Sequence, residues 1–206
     1  LKVEKGSVKS LQQIPFLPIQ FFKSHTVVSN NEAPQAIFTS SGTTGMTTSQ
    51  HLVTDVSLYE ESYRRGFSQF YGNIENYVVL ALLPSYLERE GSSLIYMVED
   101  LIQLSNQPES GFYLNNHDEL IEKLIELDSL GQNVILIGVT YALLDLIEKR
   151  KFQLQNTIIM ETGGMKGKRK EMIREELHQQ LCAGFGVSSI HSEYGMTELL
   201  SQAYSL

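Results

Sequence analysis

Two runs with almost no polar residue, 77–83 and 133–138, constrain the fold of this chain most. A strand reads this way when both of its faces are buried, as in a parallel sheet covered by helices. The segments between carry the other period. Residues 54–71 place Val56, Tyr59, Tyr63, Phe67 and Phe70 at helical spacing, with Thr54 or Asp55 as the cap. Further helices are expected over 92–104, 117–130 and 141–149, and a charged amphipathic one over 167–181. Shorter strands are expected at 36–39, 111–114, 156–161 and 189–194. Strand followed by helix, repeated, predicts an α/β fold: a mainly parallel sheet flanked by helices.

The 206 residues suffice to bury a core without outside help. Hydrophobic residues at 42% and charged residues at 19% fit a globular protein and exclude a disordered one. Sixteen Lys and Arg against 24 Asp and Glu leave a net charge of −8. That balance argues against nucleic acid as a partner, since wrapping it needs clustered cations. A single cysteine, Cys182, excludes an intrachain disulfide and argues against structural zinc. It suits a reducing compartment, so a cytoplasmic location is expected. No apolar run approaches the roughly 20 residues needed to span a bilayer.

Pro15 and Pro18 forbid a regular helix through the apolar segment 14–19, which is expected as extended chain packed on the body of the domain. Residues 1–10 are polar and carry no signal-peptide pattern. The chain starts at Leu1, and residues 199–206 read as an unfinished helix with neither cap nor stop. A fragment of a longer protein, cut at both ends, is therefore expected.

Three stretches carry chemistry. Ser40-Ser41-Gly42-Thr43-Thr44-Gly45 supplies four hydroxyls and two glycines just after a strand. Exposed backbone N–H groups and hydroxyl donors make a nest for phosphate oxygens; composition alone fits a polar surface loop equally well. It is not a Walker A loop, and the near miss at Gly167-Lys168 has Arg169 where Ser or Thr must bind Mg²⁺. Ser192-Glu193-Tyr194-Gly195-Met196-Thr197-Glu198 ends the last expected strand, where open parallel sheets bind ligands. Tyr194 offers a flat face for a base, Gly195 permits close backbone approach, Thr197 is a donor, and Glu198 is a hard ligand suited to Mg²⁺ held with phosphates. Thr197 and Glu198 could equally open a helix. Glu161-Thr162-Gly163-Gly164 ends another strand, and its glycines form either a ligand platform or a tight turn.

In that order, these stretches resemble the adenylate-forming superfamily of acyl-CoA synthetases and ligases. Residues 38–45, Leu83-Pro84-Ser85-Tyr86-Leu87 with Ser92-Ser93-Leu94, Thr162-Gly163-Gly164-Met165-Lys166-Gly167 and residues 192–198 are similar to its acyl-protein synthetase branch, near the phenylacetate-CoA ligases. The resemblance spans almost the whole chain and implies the partial large N-terminal domain of such an enzyme, without its small C-terminal domain. It implies attack of a carboxylate, a fatty acid in this branch, on the α-phosphorus of ATP, release of pyrophosphate, and acyl transfer to a thiol of CoA or a protein. By the family pattern Ser40, Ser41, Gly42, Thr43, Thr44 and Gly45 would hold the β- and γ-phosphates. Gly163 and Gly164 would line the adenine pocket. Glu193, Tyr194 and Gly195 would lie against nucleotide and acyl carboxylate, Thr197 on the α-phosphate, Glu198 on Mg²⁺, and Tyr86 beside the acyl group. Such chemistry asks for charge neutralisation and in-line positioning more than for a covalent enzyme group.

Two departures follow. The family's loop commonly continues Pro-Lys-Gly, whereas this one reads Met46-Thr47-Thr48-Ser49 and lacks the lysine. The family's ribose-binding aspartate, hinge and catalytic lysine lie beyond the Thr-Glu pair, where this sequence has eight residues left. An aryl-CoA ligase of phenylacetate type and a non-catalytic nucleotide- or acyl-binding module are the rivals. Cys182 is read as a structural cysteine, His191 as a satisfied core histidine, and Lys166, Lys168, Arg169, Lys170 and Arg174 as a solvated helix face.

Overall fold

The computed structural model describes residues 6–40, 48–84, 91–165 and 167–206. The two apolar runs become β3 (Val78–Leu82) and β5 (Val134–Val139), and every residue of both is buried. They pair in parallel inside a six-stranded sheet of order β4-β3-β5-β6-β7-β8, with β4 at Gly111–Phe112, β6 at Thr157–Thr162, β7 at His191–Gly195 and β8 at Gln202–Ser205. The first five strands are parallel; β8 runs antiparallel to β7 at the edge. The α/β expectation holds.

Helices cover both faces. A short α1 (Phe21–Ser24) precedes a separate antiparallel hairpin, β1 (Ala36–Thr39) with β2 (Gln50–Val53). On one face of the main sheet lie α2 (Ser57–Tyr71) and α3 (Ser93–Ser105), which bury Tyr59, Tyr63, Phe67, Met97 and Leu101. Their cores follow the helical period read from the sequence, and Ser92 caps α3 by accepting from the Ile95 N–H. After α4 (His117–Ser129), α5 (Thr140–Lys149) and α6 (Arg174–Phe185) pack against each other on the other side. Gly184 permits that approach: a Cβ there would stand 2.6 Å from Ile147 Cδ1. The chain leaves α6 through Gly186 at φ 72°, a left-handed cap.

Four expectations are corrected. Residues 199–206 are not a helix: Leu200 turns at φ 48° and the chain doubles back as β8. Gln202 and Tyr204 point inward there and Ala203 and Ser205 outward, a period of two. The helix expected over 167–181 starts only at Arg174, because Arg169 reaches across to Asp145 and Glu148 on α5 and holds the preceding segment over that helix. β2 was not expected at all. The segment 14–19 is extended but not packed: Ile14 and Leu17 are exposed and Phe16 wholly so.

Candidate functional site

The carboxyl ends of β6 and β7 and the N-terminus of α3 enclose a cleft of about 240 Å³. Thr162, Gly163, Glu193, Tyr194, Gly195 and Thr197 line it, joined by Thr39, Ser92, Ser93, Leu94 and Gln202. Two of the three stretches singled out in the sequence therefore meet at one edge of the sheet. Gly163 turns at φ 72°, and its carbonyl accepts from the buried Thr140 hydroxyl at 2.7 Å. A Cβ on Gly164 would meet nothing within 4 Å, so its α-carbon faces open space.

The third stretch joins them through its neck. Ser41, Gly42, Thr43, Thr44 and Gly45 lie outside the described residues, as do Tyr86 and Lys166. The two ends of the loop are fixed. The Ser40 N–H donates to the Ser49 carbonyl at 3.1 Å, and the Ser49 N–H donates to Ser40 Oγ at 3.0 Å. Ser49, fully buried, donates its hydroxyl to Glu198 Oε1. Two residues on, the His51 ring bonds the Thr197 carbonyl through Nδ1 at 2.8 Å. The hairpin that presents the hydroxyl-rich loop is thus bonded directly to the Thr197–Glu198 turn. Sequence reading missed both partners: Ser49 sits in an unremarkable Thr-Thr-Ser stretch, and a lone histidine on a strand carries no signal.

β7 sends its side chains to opposite faces. His191 and Glu193 face α2 and α3, while Ser192 and Tyr194 face α6. Tyr194 is 61% exposed, a free aromatic surface at the mouth of the cleft. Arg174 of α6 donates to Ser192 Oγ at 2.8 Å. On the opposite face Glu193 is 6% exposed and in register with Thr162 and Tyr204. Thr162 donates to Glu193 Oε2 at 2.7 Å; Oε1 has no partner among the described residues. Burial pushes the Glu193 carboxyl up to about 7; the Thr162 bond lowers it in part and the neighbouring Glu161 charge raises it. Beside it, Gln202 donates through Nε2 to the Tyr59 hydroxyl at 2.9 Å, and Tyr59 donates to the Ser93 carbonyl at 3.0 Å. Sequence reading missed Gln202 because it placed that residue in a helix.

The remaining candidates resolve without a role in the cleft. His191 bonds the Tyr71 hydroxyl through Nδ1 at 3.2 Å, and burial lowers its pKa, as for a satisfied core histidine. Cys182 is half-buried against the core, and burial raises its thiol pKa. Three of the cationic residues are not a solvated helix face: Arg169 pairs with α5 acids, Lys168 Nζ sits 4.4 Å from the Tyr141 ring centroid, and Arg174 holds Ser192. Among the described residues no group of three or more His, Cys, Asp or Glu could cage a metal, and no helix is long and apolar enough to cross a membrane.

No protein-family model matches the chain, and no curated protein matches its sequence. Solved structures do. ATP-bound MatB from Rhodopseudomonas palustris superposes with a TM-score of 0.57 at 16% identity, over 82% of this chain and 30% of that one. An open conformation of 2-hydroxyisobutyryl-CoA ligase, in complex with 2-HIB-AMP and CoA, gives 0.53 at 11% identity, over 88% and 40%. Over the superposed region the chain has the fold of these ligase structures. It spans about a third of the length of those ligase structures, and the likeness at this identity is one of fold.

Proposed function

We propose that the protein containing this chain activates a carboxylic acid with ATP, forming an acyl-adenylate and pyrophosphate, and passes the acyl group to a thiol of CoA or of a protein. In this reading residues 1–206 are part of the large adenylation domain, and the small domain lies elsewhere in the full-length protein. The observation that carries it is the bonding of the loop-bearing hairpin to the Thr197–Glu198 turn at the rim of the cleft. Phosphate donors and a carboxylate are needed within reach of one triphosphate, and the Ser49–Glu198 and His51–Thr197 contacts support the reading by joining the hairpin to that turn.

The roles we assign follow the family pattern. Ser40 to Gly45 cradle the outer phosphates, with Ser40 fixed at the neck. Tyr194 gives its exposed face to the base, over the turn at Gly163 and Gly164. Thr197 donates to the α-phosphate. A single carboxylate at the rim fits Mg²⁺, which keeps water and phosphate oxygens as its other ligands and needs no protein cage; Glu198 would hold it, where it would offset charge on the phosphates. The chemistry calls for two anions to meet, so what the chain supplies is donors and position.

The test is ATP–pyrophosphate exchange by the full-length protein across a panel of carboxylic acids. Exchange that depends on one class of acid is expected. A panel in which no acid stimulates exchange would overturn the reading.

A further inference from the structure

We propose that the cleft selects a carboxylic acid bearing its own hydrogen-bond donor, a hydroxyl or amino group, which is read by Glu193 and Gln202. This rests on the reading of the cleft as the place where an acid is activated, and it departs from the fatty acid that the acyl-protein synthetase resemblance implies.

The argument is one of unmet acceptors. Glu193 Oε1 and Gln202 Oε1 are both buried, and neither has a partner among the described residues. Both side chains crowd the same spot: a Cβ built on Gly195 would stand 2.9 Å from Glu193 Oε1 and 3.4 Å from Gln202 Nε2. Three of the nearby donor groups are already engaged. Thr162 gives its hydrogen to the other oxygen of Glu193, Gln202 gives one to Tyr59, and Tyr59 gives its own to Ser93. No Lys, Arg or His lines the cleft among the described residues. An acceptor buried in that state costs free energy that a bound donor recovers. The Tyr204 hydroxyl also lacks a partner, but it lines a separate apolar gap with Phe67, Met97 and Leu101.

The donor is not the amino group of the nucleotide base. Tyr194, the exposed aromatic, projects from the α6 face of β7, whereas Glu193 and its register partners Thr162 and Tyr204 project from the α2/α3 face. Both residues line the cleft, but a base stacked on the exposed Tyr194 ring approaches it from the face of β7 opposite to the one that carries Glu193. A plain alkyl chain on the Glu193 side would cover two acceptors without satisfying either, the arrangement by which sites reject analogues lacking a polar group.

The experiment titrates the full-length protein, without ATP, with a short alkanoate, its hydroxy and amino derivatives, and a long-chain alkanoate. A hydroxy or amino acid should bind about 10²-fold or more tightly than the alkanoate of equal length. Glu193→Leu, with Gln202→Leu as a second variant, should narrow or invert that preference, and the loss in acid affinity should exceed any loss in ATP affinity at least fivefold. A melting temperature for each variant reports folding. Equal affinity of the wild-type protein for matched acids, as expected if only water occupies the spot, overturns the inference. So does a Glu193→Leu defect that falls on ATP instead of the acid. Selective binding of the hydroxy or amino acid without pyrophosphate exchange supports the inference while overturning the adenylation reading.

Discussion

The Ser49 hydroxyl donates to the Glu198 carboxylate across 149 residues of sequence. It is one of two bonds, with His51 to the Thr197 carbonyl, that fasten the β1–β2 hairpin to the turn after β7. The hairpin is not part of the main sheet. It is also held by Thr39, whose N–H donates to the Gly91 carbonyl at 2.7 Å, and by Phe38, whose ring meets Tyr59 and Tyr96 edge-on at 5.4 and 5.5 Å. A loop that must grip an anion beside a carboxylate gains from such a mounting, because positions set by buried hydrogen bonds are already fixed before ligand arrives.

Glu198→Gln should lower adenylation by the full-length protein by about 10²-fold or more, the scale of one lost charge contact to the reacting phosphates. The amide oxygen can still accept from Ser49, so the fold should survive with a near-unchanged melting temperature. Exchange at the wild-type rate would place the metal on another residue.

Ser49→Ala should act through position. The variant leaves the carboxylate in place but removes the hydrogen bond that the described part of the hairpin gives it, worth about 1.5–3 kcal/mol for a donor to a charged group. Exchange should fall about tenfold, with the effect in kcat rather than in KM for the acid. Ser49→Thr, which keeps the hydroxyl, should recover part of it. An unaltered kcat in Ser49→Ala would reduce the bond to a structural contact.

What the sequence made legible depends on how local the cause is. β3 and β5 were readable because double burial leaves no room for polar residues, and α2 and α3 because Tyr59, Tyr63 and Phe67 keep the helical period. β8 was not, because its strand character comes from pairing Tyr194 with Ala203 and Glu193 with Tyr204, partners supplied by tertiary structure. Residues 167–173 misled because their charges look like a solvated helix face until Asp145 and Glu148 are brought beside Arg169. Within the site, the glycines and the Thr197–Glu198 pair were readable from their chemistry. Ser49, His51 and Gln202 were not, since ordinary residue types matter there only through what they touch.

Gly184→Ala should destabilise the α5–α6 contact. The added methyl would stand 2.6 to 2.7 Å from three Ile147 side-chain atoms, one of them the Cβ, which no rotamer change can move. Overpacking of this kind costs about 1–3 kcal/mol. Urea denaturation should show that loss, and in the double variant with Ile147→Ala, which removes the Cδ1 and Cγ2 contacts and keeps only the Cβ one, the total loss should be smaller than the sum of the two single losses. Additive losses in the double variant would mean that the two positions do not meet.

Glu193 gives stability a pH dependence of defined sign. Its carboxyl titrates near 7 in the folded protein and near 4.5 when unfolded, because burial disfavours the charged form. Between those values the folded state holds a proton that the unfolded state has released, so stability falls as pH rises. The contribution is complete below about 4.5 and gone above about 7, and a shift of this size corresponds to about 3 kcal/mol. His191, whose pKa burial lowers, works in the opposite sense: stability rises with pH below its ordinary value and the gain is complete above it. A comparison of wild type with Glu193→Gln separates the two. Denaturant midpoints measured at pH 5 and pH 8 should differ more steeply downward in the wild type, while the glutamine variant, with nothing to titrate at this position, should lose most of that decline. Parallel pH profiles for the two proteins would show that Glu193 titrates alike in the folded and unfolded states.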